Sequence, residues 1–453
     1  MENKYQLDLT QGPIVTRLLQ FSIPIILSGV LQLVFNAADV IVVGQFAGDE
    51  ALGAVGSTGS LIHLMVNLFV GLSTGTNVVA ANFFGSKNKK ALKDTVHTAM
   101  YVSIISGILM TIVGVIWAKE ILKLMKAPED VLIPATLYLK IYFAGITATM
   151  VYNFGSALLR AKGDTKRPLY LLFIAGLVNV LLNLLFVIVF KMGVAGVGIA
   201  TVISQSVAAA LVVMLLIKEN DDFKLILREL RINRDILIKI MKIGVPAGFQ
   251  GMLFSFSNVI IQSSIYSFNS AQIIAGSSAS SSIENFVYIS MNGFAQGTLT
   301  FVSQNYGAKN FNRIRKTAFI AEFLVILIGV VLGYSVIYFS DKLLPLYSDN
   351  AGTIAAGHER LFIICSTYFL CGMMDVIGTI IRGIGHSLLP MLVSMAGACG
   401  FRILWLMTIF KMEQFHKTSM IYITYPLSWI LTFAVELVCF IVIFTKISRK
   451  NTN

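Results

Sequence analysis

Asp39 is a carboxylate set in an otherwise apolar run, and its neighbours say what it can do. In Asn36-Ala37-Ala38-Asp39 the amide and the acid are three residues apart, which puts them on one face of a helix. A carboxylate with a carboxamide beside it suits a proton or a small hard cation such as Na+. Asn179 and Asn183 are one helical turn apart in a later apolar run, and Thr201 lies in the run after that. These three can line a polar pocket with Asp39, or they can be the interhelical glue that buried Asn supplies. The second half carries Glu284, Asp375, Glu436 and Arg402 inside apolar segments. Each ionisable group in such a setting costs about 2.5–3.5 kcal/mol on insertion scales, so each needs a reason. Glu284, in Ser282-Ile283-Glu284-Asn285, can receive a cationic substrate, and Asp375, Asn153, Gln250, Asn258 and Arg402 complete a candidate substrate set. Arg402 has a second reading, as the counter-charge of one of these acids. Glu436 reads as a group facing a wet cavity, and His63 as a satisfied core histidine.

Membrane-spanning helices must position these groups. The 453 residues are 56% hydrophobic and only 13% charged, with a mean hydropathy of +0.79. Soluble domains carry about 25% charged residues, so roughly half the usual charge is missing, and the chain reads as an integral membrane protein. A span needs about 20 mostly apolar residues. On that rule spans fall near 16–44, 53–84, 94–118, 131–159, 168–190 and 195–217. A second set falls near 238–267, 272–306, 316–340, 354–381, 390–410 and 419–445. The fold class expected is therefore all-α, with about twelve transmembrane helices in two parallel six-helix lobes. The lobes are residues 1–217 and 238–453, joined by a cytoplasmic linker over 218–237. Within that linker Phe223 to Leu230 has the pattern of an interfacial amphipathic helix, with a plain tether as the alternative. Lys119 to Met125 reads as a similar interfacial piece.

The division into lobes rests on an internal repeat. Pro246 and Asn258 stand 222 residues after Pro24 and Asn36 (246 − 24 = 258 − 36 = 222). The same shift carries Gly71 to Gly293, Gly75 to Gly297, Lys87-Asn88 to Lys309-Asn310, Arg160 to Arg382 and Gly163 to Gly385. Gly, Pro and Asn dictate backbone shape, so this register marks a duplication. It pairs Asp375 with Asn153, and Asp39 with Ile261, so an ion that couples at Asp39 couples in one lobe only. Six spans per half insert both repeats in the same orientation. Such lobes enclose a cavity that opens to either side by rocking, the plan of a secondary transporter.

The net charge of +12 comes from short basic clusters between apolar runs, as at Lys87/Lys89/Lys90/Lys93, Arg160/Lys162/Lys166/Arg167 and Lys309/Arg313/Arg315/Lys316. That is the positive-inside pattern. It puts both termini in the cytoplasm and argues against nucleic acid as a partner. Cys365, Cys371, Cys399 and Cys439 lie in apolar stretches without metal spacing and read as small core residues. No phosphate-binding loop, metal cluster or nucleophile–base spacing is present, so neither an enzyme nor a nucleotide-driven pump is expected.

Several short stretches together resemble the multidrug and toxic compound extrusion (MATE) transporters along nearly the full length. They are Ser22-Ile23-Pro24, Asp39 to Gly44, Gly71 to Lys87, Leu159 to Asp164 with its partner Ile381 to Gly385, and Met192 to Thr201. The resemblance implies twelve helices in two lobes and Na+- or H+-driven export of diverse, often cationic compounds; a monomer with no cofactor beyond the coupling ion is expected. It maps the first-lobe ion site onto Asp39, Asn179, Asn183 and Thr201, with Asn36 added from the residue reading above. Position 183 is an acid in some members and Asn here. Some branches also use an acid in the seventh span, where this chain has Ser255, and one in the tenth. There Asp375 sits one turn nearer the Arg-Gly motif, and Cys371 takes the usual place. The expectation is an antiporter exporting organic cations or drugs, with a lipid-linked oligosaccharide flippase of related plan as the alternative.

Overall fold

The computed structural model describes residues 6–124 and 129–450, and every regular element among them is helical. In order these are α1 (Ile14–Phe46), α2 (Asp49–Gly85), α3 (Lys89–Leu124), α4 (Glu129–Ala144), α5 (Ile146–Lys162), α6 (Lys166–Asn183) and α7 (Gly193–Lys218). Then come α8 (Arg234–Tyr266), α9 (Ala271–Gly307), α10 (Phe311–Leu343), α11 (Ala351–Cys365) and α12 (Tyr368–Gly383). The last four are α13 (Leu388–Ser394), α14 (Phe401–Met407), α15 (Thr418–Tyr422) and α16 (Thr424–Lys450). Two π-helical stretches, Leu184–Val189 and Met395–Gly400, extend α6 and join α13 to α14. The reason for this uniformity is solvent. In hydrocarbon each backbone N–H and C=O must be satisfied within its own segment, and a helix does that. Among the described residues nine helices are long and apolar enough to cross a membrane, and two bent pairs raise the number to eleven. The 37-residue α9, rich in Ser and Asn, supplies the twelfth long segment.

The backbone repeats as the sequence does. Lys87 and Lys309, 222 residues apart, both turn left-handed at φ 56°, and Gly163 and Gly385 do so at φ 100° and 94°. Asn310 caps α10 by accepting from the Arg313 N–H, and Asn88 accepts in the same way from Ala91 at the start of α3. The fourth and tenth spans are each broken, by 47° at Gly145 and by 43° at 366–367. Position 145 maps onto 367 (145 + 222). Pro24 and Pro246 lie inside α1 and α8, where each removes a helix hydrogen bond.

The chain forms two compact units, Met1–Asp8 with Leu27–Gly248, and Leu9–Ile26 with Phe249–Asn453. Both α1 and α8 therefore change unit two residues after their proline, at equivalent positions (26 + 222 = 248). Close packing explains the exchange. In the first unit a Cβ on Gly71 would lie 2.2 Å from the Gly248 nitrogen, and one on Gly75 2.5 Å from the Ile240 carbonyl. In the second a Cβ on Gly293 would meet Ile26, and one on Gly297 would lie 2.1 Å from the Ser22 hydroxyl. The glycines that mark the repeat are thus the places where α2 and α9 receive the first half of α8 and α1, with backbones too close for a side chain.

Two expectations are corrected. Phe223 to Leu230 is not an amphipathic helix, since only Leu227–Glu229 makes a single 3-10 turn. Phe223 and Leu225 alternate inward and are fully buried, with Phe223 packed on the Phe84 ring and under the Lys162 ammonium. The Ile226 N–H donates to His97 and Arg231 pairs with Asp94, so the linker is no free tether either. Buried Lys162 on α5 binds Glu219 and Asp221 at its near end. Lys119 to Leu124 likewise is no separate piece, because α3 runs through it unbroken; Met125 lies outside the described residues. The four cysteines are free thiols, and three of them are buried.

Candidate functional site

In the first unit the structure brings together Asp39, Asn183, Asn179 and Thr201 from three helices. The Asn183 amide donates to Asp39 Oδ1 at 2.5 Å and to Asn179 Oδ1 at 3.3 Å. The Asn179 amide in turn donates to Thr201 Oγ1 at 3.5 Å, and that hydroxyl donates to the Val197 carbonyl one turn back on α7. Both Asn side chains are buried and Asp39 is half-buried. Asn36 is exposed one turn away on α1 and takes no part in this series.

Local packing sets the geometry. A Cβ on Gly176 of α6 would lie 1.7 Å from the Phe35 ring of α1, so the bare glycine seats that ring. One turn on from Phe35 comes Asp39, and two turns on from Gly176 comes Asn183. The 3.6-residue period therefore delivers acid and amide to each other. On α7, Gly198 lies against Ile141 and Tyr138, the slim face that admits Thr201 to the cluster. The π-helical stretch begins immediately after Asn183, and such bulges re-aim side chains at functional sites. One atom is left over: Asn183 Oδ1 is buried and accepts no hydrogen bond among the described residues. A carboxylate beside an unpartnered carbonyl oxygen is a donor set for a hard cation.

The second unit treats its charges differently. Glu284 on α9 is held by Arg360 on α11, through Nη2 at 2.5 Å and Nε at 3.4 Å, and Arg360 also donates to Ser277 at 2.7 Å. The pair is buried and its charge is balanced within the protein. Arg402, expected as the counter-charge of an acid, forms no ion pair among the described residues: its Nε donates to Ser428 at 2.8 Å, and its guanidinium lies over Tyr425 and Trp429. Asp375 is half-buried on α12 and hydrogen-bonded to Asn292. Gln250 is engaged at both ends of its amide, by Arg382 and Ser394. Asn258 is exposed on α8, and Asn153 is half-buried on α5 of the other unit. The His63 side chain lies outside the described residues. Sequence reasoning missed Arg360 and Glu322, both within predicted spans. An intramembrane Glu284 without a basic neighbour in sequence was the signal to search the other spans for its cation.

Comparison with known proteins now decides the family. The MatE family model matches residues 24–185 and again residues 246–407. The two matches are offset by 222 residues at both ends (246 − 24 = 407 − 185 = 222), the shift read from the sequence. The chain belongs to the MatE family. It is 28% identical over 419 residues to "Probable multidrug resistance protein YoeA" of Bacillus subtilis (strain 168), covering 88% of this chain and 89% of that protein. It is also 28% identical over 383 residues to "Probable multidrug resistance protein YpnP" of the same organism, covering 84% and 85%. Its fold matches a structure described as the outward-facing conformation of a multidrug resistance MATE family transporter of the MOP superfamily. The TM-score is 0.91 at 20% identity, over 99% of this chain and 100% of that one. As a MatE protein this chain is a multi-pass membrane transporter of small molecules, not an enzyme.

Proposed function

We propose that this MatE protein is a secondary antiporter exporting cationic, amphipathic organic compounds, drugs among them, in exchange for Na+ or H+ bound at Asp39. The observation that carries the reading is the Asp39 carboxylate at the end of the Asn183–Asn179–Thr201 series, beside the unpartnered Asn183 carbonyl. Ion arrival would give that oxygen and the carboxylate a common partner. It would pull the second half of α1 against α6 and so bias a helix that changes unit at Ile26. The coupling ion is the only cofactor this requires. Within the second unit Asp375 and Asn258 are the substrate contacts we favour, and the Arg402 guanidinium with its aromatic rings offers a wall for planar groups. Glu284 is removed from that set, because Arg360 already holds it. The basic loops support both termini lying in the cytoplasm, and in this reading the protein acts as a monomer in the cytoplasmic membrane.

One ion falling through ~100 mV gains about 2.3 kcal/mol, and a tenfold ion gradient adds about 1.4 kcal/mol. Together these sustain a several-hundred-fold gradient of neutral cargo, whereas a monovalent cation exchanged for one ion feels only the chemical part, about tenfold. The test is transport of an ethidium-type dye into or out of proteoliposomes, under a Na+ gradient and a pH gradient imposed separately. Transport under one gradient alone supports the antiporter and names its ion. Transport under neither sets this reading aside and moves the lipid-flippase alternative ahead.

A further inference from the structure

Within the second unit four side chains from four elements form one directed series of hydrogen bonds. Arg382 Nη2 on α12 donates to Gln250 Oε1 on α8 at 2.6 Å. Gln250 Nε2 donates to Ser394 Oγ at the end of α13 at 2.9 Å, and Ser394 Oγ donates to Glu436 Oε1 on α16 at 3.2 Å. Every donor points the same way, from a guanidinium toward a buried carboxyl. Glu436 is 1% exposed, and its second oxygen, Oε2, has no partner among the described residues. That oxygen faces bare backbone, since a Cβ on Gly378 would lie 3.2 Å from it. Asp375, Gly378 and Arg382 recur at three and four residues on α12, so they share the face turned toward Glu436.

A second acid faces the same region. Glu322 on α10 has both carboxyl oxygens buried and without a partner among the described residues, and it lies within electrostatic reach of Glu436. Asp375 and Arg382 are the other charged groups within reach of Glu436. Arg402 is engaged eight residues earlier on α16 at Ser428, and Glu284 is closed off by Arg360. Three carboxyl oxygens in low dielectric thus have no donor. An ionised carboxylate left in that state would bear a heavy desolvation cost. A metal ion would need more ligands than the three oxygens and one hydroxyl on offer, and no group of three or more His, Cys, Asp or Glu side chains is arranged to hold one among the described residues. The ligand that fits is the proton.

We propose that Glu436 and Glu322 form a proton-binding site in the second unit, and that the Arg382–Gln250–Ser394 series sets the charge on Glu436. Proton binding converts each carboxylate to a carboxylic acid whose O–H supplies the missing donor. Gln250 is the contact that makes the site responsive. It lies two residues past the point where α8 changes unit and one turn past Pro246, so bending there would withdraw the amide and break the series. The site rests on the ion-coupled reading only for the use made of the proton, since binding can be measured without transport.

The experiment is infrared titration of the purified protein, following absorption by protonated carboxyl groups across the neutral range. Glu322→Gln and Glu436→Gln are near-isosteric and keep a donor for each site. Each should remove about one carboxyl from the protonated signal at pH about 7, and the double variant should remove both. Glu229→Gln, at the exposed linker, should leave the signal unchanged. Gln250→Leu, with both acids intact, should shift the titration of the Glu436 component. The proposal is overturned if both Glu→Gln variants keep the native melting temperature and the native carboxyl signal. Loss of dye transport under both gradients, with the carboxyl signals as expected, would keep this site and remove only the antiporter reading.

Discussion

The two halves of this transporter share a backbone and differ in how they hold charge. In the first unit Asp39, a carboxylate within an apolar helix, takes its side-chain hydrogen bond from the neutral Asn183 amide. Its repeat equivalent in the second half is Ile261, a buried apolar residue. The second unit instead holds several acids and arginines, with Glu284 closed by Arg360 and Glu436 addressed from Arg382 through two relays. The π-helical stretches show the same divergence. One begins just after Asn183, whereas the other, ahead of Arg402, begins at Met395, which maps back to position 173 (395 − 222). Duplication copied the residues that direct the chain and left each half free to place its polar groups. A lone acid with neutral neighbours can change charge without breaking a fold, but a closed buried ion pair cannot.

That contrast can be broken by substitution. The largest effect is expected at the closed pair. Arg360→Met leaves Glu284 buried without its cation and should cost about 3–5 kcal/mol, read as a lower melting temperature of the detergent-purified protein. Adding Glu284→Gln should recover most of that loss. In the first unit Gly176→Val would drive a side chain into the Phe35 ring, at a cost of about 1–3 kcal/mol. It should also impair ion-driven transport, and Phe35→Ala in the same chain should restore stability without restoring transport. The smallest change in stability is expected from Asn183→Leu. Its melting temperature should fall less than that of either other variant while ion-driven dye transport falls about tenfold, equivalent to about 1.4 kcal/mol.

Much of the fold was legible because the informative residues are the ones with special backbones. Gly71, Gly75, Gly293 and Gly297 are where helices touch without side chains, and Lys87 and Lys309 carry the same left-handed turn. Their spacing could be matched without knowing the contact. Asp39, Asn179, Asn183 and Thr201 were legible for a related reason, since each is a polar residue in an apolar helix at a helical interval from another. Pairing across the chain was not legible. Arg360 lies 76 residues from Glu284, and nothing in a linear sequence says which faces of α9 and α11 meet. The linker misled because Phe223, Ile226, Leu227 and Leu230 recur at three and four residues as on a helix face, whereas Phe223 and Leu225 turn into the fold and Leu227 is exposed. Tertiary anchoring of Phe223 decided between them.

The central claim is that ion movement and substrate movement meet at Asp39. The direct test runs the exchange backwards. Proteoliposomes are loaded with the coupling ion and an indicator for it, an outward-directed driving force is supplied by external substrate alone, and ion release is recorded for the native protein and for Asp39→Asn. Substrate-dependent ion release from the native protein, absent in Asp39→Asn although that variant still binds the dye, is the result predicted. Equal release from both proteins would contradict it and would assign the coupling ion to another site.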